Sequence, residues 1–241
     1  MLLRWRKLTF TSDRMRYLLA VLMAGGRGKR LRPITYKTPK PLLKINGKLL
    51  LEYALNSLLE AGIRSYQIIV CLRYKPNAFQ DFLEEERLNY FIGSSNYCVK
   101  NLYEIIDTEP AKHILVVPTD VIQPKDVIRD SIEVYRKYKP DCLFHARGKY
   151  YRVREVKSIS TLKPTTSLSI WRRRALEKVR DEVSEKFEYS DLAILFLKHN
   201  LNVFYFYTPH KILEIDTIDD LKRVKKIMGD GNEKMLFATS L

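Results

Sequence analysis

The sequence has few features of extracellular, repetitive or membrane-spanning proteins. Its three cysteines, Cys71, Cys98 and Cys142, are odd in number and widely spaced, and they form no CxxC pair. They therefore fit neither a disulfide framework nor a zinc site, and they suit a reducing compartment. No internal repeat or low-complexity linker is visible, and no stretch approaches the ~20 apolar residues of a membrane span.

Acidic residues are scarce at the start of the chain. The 241 residues contain 43 Lys and Arg against 28 Asp and Glu, a formal net charge of +15. Residues 1–48 contain 13 Lys and Arg but only Asp13 on the acidic side, so this fifth of the chain carries +12. A cationic segment implies an anionic partner, but its sign alone does not separate a nucleotide, a nucleic acid or an anionic lipid.

The first residues have the outline of a signal peptide, with basic residues, a short apolar run and small residues. The apolar run from Tyr17 to Ala24 is short for that purpose and equally fits a buried strand, so we expect a cytoplasmic protein with no membrane partner. Met15, directly before this run, is an alternative start. We expect a basic extension at 1–14, a single domain at 15–229 and a polar tail at 230–241.

Short apolar runs alternate with amphipathic stretches along the chain. This alternation of strands and helices predicts an α/β, Rossmann-like three-layer sandwich with a mixed, mainly parallel sheet. Helices are predicted at 49–63, 77–88, 101–108, 125–138 and 217–228. Strands are predicted at 17–23, 66–72, 113–120, 142–148, 150–159, 166–173 and 202–208.

A glycine-rich loop follows the first strand. Glycines between a strand and a helix let backbone N–H groups approach phosphate oxygens closely. A Walker A loop is excluded because Gly28-Lys29 is followed by Arg30 rather than Ser or Thr. A dinucleotide fingerprint is excluded because Leu31 stands where its third glycine is needed. The glycines alone therefore indicate a strand-end turn as readily as a phosphate site.

Two aspartates far apart in the sequence stand at the ends of predicted elements. Asp120 ends a buried strand, a position where ligands bind in open α/β sheets, but taken alone it is interpreted first as a strand-terminating or helix-capping residue. Asp216 precedes the stretch Thr217 to Asp220, which reads as a helix cap with Asp219 and Asp220 in the first turn. We therefore interpret Asp219 and Asp220 as structural.

The residues after the glycines fit the pattern A-G-G-x-G-x-R-L-x-P-x-T-x-x-x-P-K-P-L, from Ala24 to Leu42. This pattern resembles the signature of the sugar-phosphate nucleotidylyltransferases, or NDP-sugar pyrophosphorylases. The ending "EIDTIDDL" is similar to the "DTPEDL" ending of the same superfamily, and Lys163-Pro164 match a family "EKP" passage. The resemblance covers roughly Tyr17 to Met228 and implies the nucleotide-diphospho-sugar transferase fold.

The resemblance also implies roles for individual residues. Arg30 and Lys40 are the implied catalytic residues, with Lys40 and Lys163 on the acceptor phosphate, and Asp120 and Asp216 as ligands of Mg²⁺. Arginine offers phosphate a bidentate fork, and lysine a point charge. The implied nucleotide-binding residues are Ala24, Gly25, Gly26, Gly28 and Arg30.

The implied function is transfer of a nucleotidyl group from an NTP to a sugar 1-phosphate, giving an NDP-sugar and pyrophosphate. Two departures from the family pattern leave other functions open. Lys29 replaces the usual Thr, and Leu162 stands where sugar-binding members have Glu. The shorter cytidylyl- and guanylyltransferases that use phosphocholine or a cobinamide phosphate fit as well, as does a non-catalytic nucleotide-binding regulator.

Nucleic acid is not the expected partner, and residues 1–14 are the only segment assigned to such binding. The three consecutive arginines of "SIWRRRALEKVR", at 169–180, could bind an acidic partner, but a solvated helix face is the preferred interpretation.

Overall fold

Strands form the centre of the molecule, in a computed structural model that describes residues 18–162 and 168–229. The strands are β1 Leu18–Met23, β2 Lys44–Ile45, β3 Lys48–Leu49, β4 Ile68–Leu72, β5 Asn89–Ile92, β6 His113–Pro118, β7 Val121–Ile122, β8 Cys142–Arg147, β9 Arg152–Glu155, β10 Ser169–Arg172, β11 Val203–Thr208 and β12 Leu213–Glu214. Eight of them form one sheet in the order β5-β4-β1-β6-β10-β8-β11-β9.

Most strands of this sheet run in the same direction. β5, β4, β1 and β6 pair in parallel, and so do β8 and β11. β10 is antiparallel to both β6 and β8, and β9 is antiparallel to β11. The six parallel strands therefore all end at one edge of the sheet, which we call the carboxyl edge, and ligands of open α/β sheets bind at such an edge.

Helices cover both faces of the sheet. They are α1 Ile34–Lys37, α2 Leu50–Glu60, α3 Gln80–Glu85, α4 Cys98–Thr108, α5 Lys125–Tyr138, α6 Arg173–Val179, α7 Tyr189–Lys198 and α8 Ile218–Gly229. Successive side chains of a strand point to opposite faces. Leu19 and Val21 of β1 accordingly pack with residues of α4, α6 and α7, whereas Ala20 and Leu22 pack with α2, α3 and α5. The predicted three-layer α/β sandwich with a mixed, mainly parallel sheet is confirmed.

A third apolar cluster lies outside the two main layers. It joins Leu31, Ile45 and Leu50 to Ile215, Val224 and Met228, so that α8 packs near the segment following the glycines. The hairpin of β2 and β3 turns at Asn46-Gly47, both with positive φ, as a two-residue hairpin favours. This cluster brings the last helix of the described chain to the carboxyl edge.

Several element predictions differ from the structure in detail. β5 was not predicted, because its partly exposed residues give no continuous apolar run. The strand predicted at 150–159 is only Arg152–Glu155, and the strand predicted at 166–173 ends at Arg172 because α6 begins there. The predicted extension at 1–14 and tail at 230–241 lie outside the described residues. None of the described helices combines the length and hydropathy needed to cross a membrane.

Candidate active site

The glycine-rich segment leaves β1 at the carboxyl edge. Ala24 donates its N–H to the carbonyl of Cys71 at 2.9 Å, which extends the pairing with β4 by one residue. Gly28 then adopts a left-handed conformation with φ of 57°. A 3-10 turn follows at Lys29–Leu31, with Leu31 fully buried. This turn leaves the side chain of Arg30 69% exposed.

Gly28 is required by its surroundings as well as by its conformation. A Cβ atom on Gly28 would lie 2.9 Å from Cγ2 of Thr35 and 3.1 Å from Cβ of Lys40. The buried Thr35 also donates its hydroxyl to the carbonyl of Gly28 at 2.8 Å. Because L side chains rarely adopt a positive φ, and because space is lacking, this position favours glycine. The loop consequently packs directly on Lys40.

Backbone donors of the loop are free for a ligand. Across residues 18–162 and 168–229, no hydrogen bond is donated by the N–H of Gly25, Gly26 or Gly28. At Gly26, nothing lies within 4 Å of the place a Cβ would take. Free N–H groups in an open turn suit an anion. Ala24 is different: its N–H is already bonded to Cys71 and it is 1% exposed, so it offers phosphate no N–H.

The two candidate aspartates are brought together by a short pair of strands. β7 follows Asp120 directly, and it pairs antiparallel with β12, two residues before Asp216. The N–H of Ile215 donates to the carbonyl of Asp120 at 3.0 Å. Asp120 itself follows β6, where Thr119 donates its hydroxyl to the carbonyl of Met23 at 2.8 Å. Both carboxylates thus lie at the carboxyl edge, close to the end of β1.

Lys40 joins these two carboxylates. Its Nζ lies 2.8 Å from Oδ2 of Asp120 and 2.9 Å from Oδ1 of Asp216. The lysine side chain is 10% exposed, whereas those of Asp120 and Asp216 are 42% and 37% exposed. Arg30 adds a second cation, with Nη2 3.0 Å from Oδ2 of Asp216. Four residues that the sequence pattern singled out therefore form one connected ionic cluster.

The charge of Asp216 is stabilised by its partners. Burial by itself raises the pKa of this carboxyl, but the hydrogen bond and charge of Lys40, with the charge of Arg30, outweigh burial and lower the pKa below its ordinary value. Asp216 is therefore ionised at neutral pH and available as an oxygen ligand. Among the described residues, no group of three or more His, Cys, Asp or Glu side chains could hold a metal ion.

Residues next to Asp216 form the helix cap that the sequence predicted. Oδ2 of Asp220 accepts hydrogen bonds from the N–H groups of Asp216 and Thr217 and from the Thr217 hydroxyl. In return, the N–H of Asp220 donates to Oγ1 of Thr217 at 3.1 Å. The side chain of Asp219 is 93% exposed. The structural interpretation of Asp220 is confirmed, and the cap orients the backbone that carries Asp216. Asp191 caps α7 in a similar way, since it accepts the N–H of Glu188 at 2.9 Å.

Two parts of the family pattern are not brought into this cluster by the described residues. Lys163, predicted to contact the acceptor phosphate, lies outside them. Leu162, which stands where the sugar-binding members of the resembling family have Glu, is partly buried against the apolar core under α4 and α7, so its side chain serves packing.

Arg73 is a residue that the sequence analysis missed. It follows β4 at the carboxyl edge, and its Cβ lies 3.2 Å from the Cβ position of Gly25. Burial, and then the nearby positive charge of Arg27, lower the pKa of the Arg73 guanidinium. Two like charges beside a loop with free N–H groups favour a polyanion. The signal was its place just after an apolar strand, the criterion that identified Asp120.

Comparison with known proteins agrees with this arrangement. A sequence model described as nucleotidyl transferase matches residues 19–145, more than half of the chain. The choline-phosphate cytidylyltransferase of Streptococcus pneumoniae is 26% identical over 230 residues, covering 88% of this chain and 99% of that protein. The glucose-1-phosphate adenylyltransferase of Paraburkholderia phymatum is 29% identical over 154 residues, covering 54% of this chain but only 36% of that longer protein.

Solved structures share the fold. The structure of an apo UDP-glucose pyrophosphorylase superposes with a TM-score of 0.73, at 14% identity, over 89% of this chain and 99% of that one. At such low identity this likeness concerns the architecture alone. The sequence match is the stronger finding, because it includes the glycine loop, Arg30, Lys40 and Asp120. On that match, the chain belongs to the nucleotidyl transferase family.

Proposed function

We propose that the protein transfers a nucleotidyl group from a nucleoside triphosphate to the phosphate of a small-molecule acceptor, with Mg²⁺, and releases pyrophosphate. The observation that carries this proposal is the position of Lys40 Nζ, between Asp120 and Asp216 and beside the glycine loop. The reaction must bring two polyanions together. A buried cation flanked by two carboxylates supplies groups for both the phosphates and the metal.

The triphosphate would bind over the glycine loop. The free N–H groups of Gly25, Gly26 and Gly28 are its backbone donors. The exposed guanidinium of Arg30 supplies a bidentate fork at the same place. Arg73, with the adjacent charge of Arg27, extends the positive potential on the β4 side. A bound triphosphate relieves the repulsion between these two arginines, which favours binding.

Asp120 and Asp216 would hold Mg²⁺. Both carboxylates face a common cation, the ammonium of Lys40, so their donor atoms converge. Two carboxylates are too few for a complete protein site, but together with phosphate oxygens and water they match the ligand set that Mg²⁺ prefers. When bound, the metal neutralises charge on the α-phosphate and the acceptor phosphate. The residues therefore fit the ion when the substrates complete its coordination.

In the chemical step the protein mainly positions the reactants and stabilises charge, and it forms no covalent intermediate itself. An oxygen of the acceptor phosphate forms a bond to the α-phosphorus in line. The bond from the α-phosphorus to the bridging oxygen breaks, and its electron pair leaves with pyrophosphate. Arg30 holds the departing pyrophosphate. Lys40, and Lys163 as predicted from the sequence, hold the acceptor phosphate.

Two classes of acceptor are consistent with this site. A sugar 1-phosphate is the acceptor that the sequence pattern predicts. A phosphocholine-like acceptor is favoured by Leu162, which packs on the core where sugar-binding members carry Glu. The alignment with the choline-phosphate cytidylyltransferase of Streptococcus pneumoniae supports the second class too, because it covers 99% of that protein.

Substitution of the aspartates tests this assignment. We expect Asp120→Asn and Asp216→Asn each to lower turnover by roughly a hundredfold or more, because each removes a metal ligand and a partner of Lys40. Each variant should remain folded, with a lower unfolding temperature because the buried Lys40 loses one of its two charged partners. Asp219→Asn, on the same helix as the cap and 93% exposed, is the matched control and should retain turnover. Full turnover in either site variant would remove that aspartate from the metal site.

A further inference from the structure

We infer that the protein has a second anion-binding site, remote from the candidate active site, that takes a small phosphorylated molecule. The three arginines expected to form a solvated helix face instead help to line a pocket of about 430 Å³. The pocket is lined by Lys112, His113, Arg172, Arg173, Arg174 and Glu177.

The pocket lies at the amino ends of the parallel strands. His113 is the first residue of β6, and Arg172, the last residue of β10, is its register partner. Asp120 follows the other end of β6. At a rise of about 3.3 Å per residue, the length of β6 separates the pocket from the aspartates by roughly 20 Å. One small ligand therefore cannot occupy both places.

Two of the arginines are held in place by hydrogen bonds and ion pairs, Arg173 also through the carbonyl of Glu109. Arg172 donates to the carbonyl of Pro140 at 3.1 Å, and its side chain is 18% exposed. It also lies 3.5 Å from the carboxylate of Asp141. Arg173 donates from Nε to Glu177 at 2.7 Å. The walls of the pocket are therefore preorganised, which lowers the entropy cost of binding.

Positive charge in the pocket exceeds negative charge. The lining residues include four cationic side chains and one carboxylate, that of Glu177, which is already paired with Arg173. Arg174 is exposed and forms no ion pair with any residue in 18–162 or 168–229. An anion that entered the pocket would meet a free guanidinium beside two fixed ones.

His113 lies in the field of two of these cationic side chains. It is half-buried, with Nδ1 3.0 Å from the hydroxyl of Tyr135. Burial lowers the pKa of its imidazole, and the charges of Arg172 and Lys112 lower the pKa further. An anion bound in the pocket would offset those two charges, so it would raise the pKa of His113.

The chemistry of the lining selects the ligand class. Guanidinium groups match phosphate oxygens in bidentate geometry, and are less hydrated than an ammonium. A volume of about 430 Å³ is within the range of small-molecule sites, roughly 300 to 1,000 Å³. The ligand is accordingly a phosphate- or pyrophosphate-bearing small molecule.

The test follows the imidazole signal of His113 by NMR, in the full chain titrated with inorganic pyrophosphate. His113→Gln identifies the signal. We expect a saturable upward shift of the His113 pKa. Arg174→Gln should weaken the apparent affinity by roughly fivefold or more, because one charge-assisted contact is lost. Arg154→Gln, an exposed arginine of the edge strand β9, carries the same charge change and should leave the affinity unaltered.

A variant of the candidate active site distinguishes pyrophosphate binding in the arginine pocket from pyrophosphate binding at the glycine loop. Arg30→Gln should keep the pyrophosphate-dependent shift of His113, because Arg30 lies at the opposite edge of the sheet. Three results would each overturn the inference: no shift of the His113 signal at millimolar pyrophosphate, equal affinity in the wild type and Arg174→Gln, or loss of the shift in Arg30→Gln.

Discussion

The charged forms of Lys40, Asp120 and Asp216 stabilise one another. An ammonium that is 10% exposed would be costly to keep charged without partners. Conversely, two carboxylates that face each other repel when no cation lies between them. Any phosphate that binds Lys40 has to compete with Asp120 and Asp216, and a metal ion on the carboxylates would release the lysine for that phosphate. Under the proposed function, this exchange would link metal binding to acceptor binding.

Replacing Lys40 with methionine should change the titration of Asp216. Lys40→Met keeps the length of the side chain but removes the hydrogen bond and charge that lower the pKa of Asp216. We expect that pKa to rise, because burial is then opposed mainly by Arg30, and we expect turnover to fall at least a hundredfold or so. Carboxyl carbon NMR across a pH series measures the shift.

The sign of the pH effect follows from the lowered pKa. The Lys40–Asp216 pair stabilises the folded protein above the ordinary aspartate pKa of 3.8, and this contribution is lost as the pH falls through the lowered pKa. The difference in unfolding free energy between wild type and Lys40→Met should therefore shrink in acid. Asp220, whose pKa is lowered chiefly by its hydrogen bond with Thr217, is the internal control. An unchanged Asp216 pKa in the variant would contradict the ion pair.

The glycine loop acts as one element with the 3-10 turns that follow it. Its free N–H groups are useful only if the loop keeps its distance from Lys40, and Gly28 sets that distance through its contacts with Thr35 and Lys40. The neighbouring Gly26 has open space around it. Gly28 is therefore needed for packing within the loop, whereas Gly26 is not.

Substituting alanine at each of these two glycines should show that a side chain is tolerated at Gly26 but not at Gly28. Gly28→Ala places a Cβ at a φ of 57° and 2.9 Å from Thr35, so we expect a loss of about 1 to 2 kcal/mol in unfolding free energy and a displaced Lys40. Gly26→Ala should stay within about 0.5 kcal/mol of wild type. Urea unfolding measures both, and equal stability of the two variants would refute the packing argument.

The cap of α8 is a second element with a matched pair of tests. Asp220→Ala removes the acceptor for the N–H groups of Asp216 and Thr217. We expect it to lower the unfolding free energy by about 1 kcal/mol and to reduce turnover, because Asp216 loses its backbone support. Asp219→Ala changes a 93% exposed neighbour and should do neither. If the two variants proved equally stable, the cap would not support Asp216.

Much of this site could be predicted from sequence because its signals are local. The glycine loop, Asp120 and Asp216 are each identified by their immediate neighbours in the chain. The bridge by Lys40 could not be predicted, because it joins residues 80 and 176 positions apart and depends on the pairing of β7 with β12. Arg73 was missed for a related reason: its relation to Gly25 exists only once β1 and β4 are adjacent.

At the scale of the whole molecule, the sheet separates two regions of positive charge. The carboxyl edge holds the glycine loop and the ionic cluster of Lys40, and the opposite edge holds the arginine pocket around His113. On the two proposals made above, phosphate groups would bind at both of these places. Since β6 runs from one region to the other, the fold keeps them at a fixed distance.

Pyrophosphate release is the measurement that tests the central claim most directly. The protein would be incubated with Mg²⁺ and each of the common NTPs, in combination with sugar 1-phosphates and phosphocholine, with Asp216→Asn as the inactive control. We predict that at least one pair releases pyrophosphate and yields the corresponding nucleotidyl product. The absence of both turnover and NTP binding across all pairs would contradict the proposed nucleotidyl transfer.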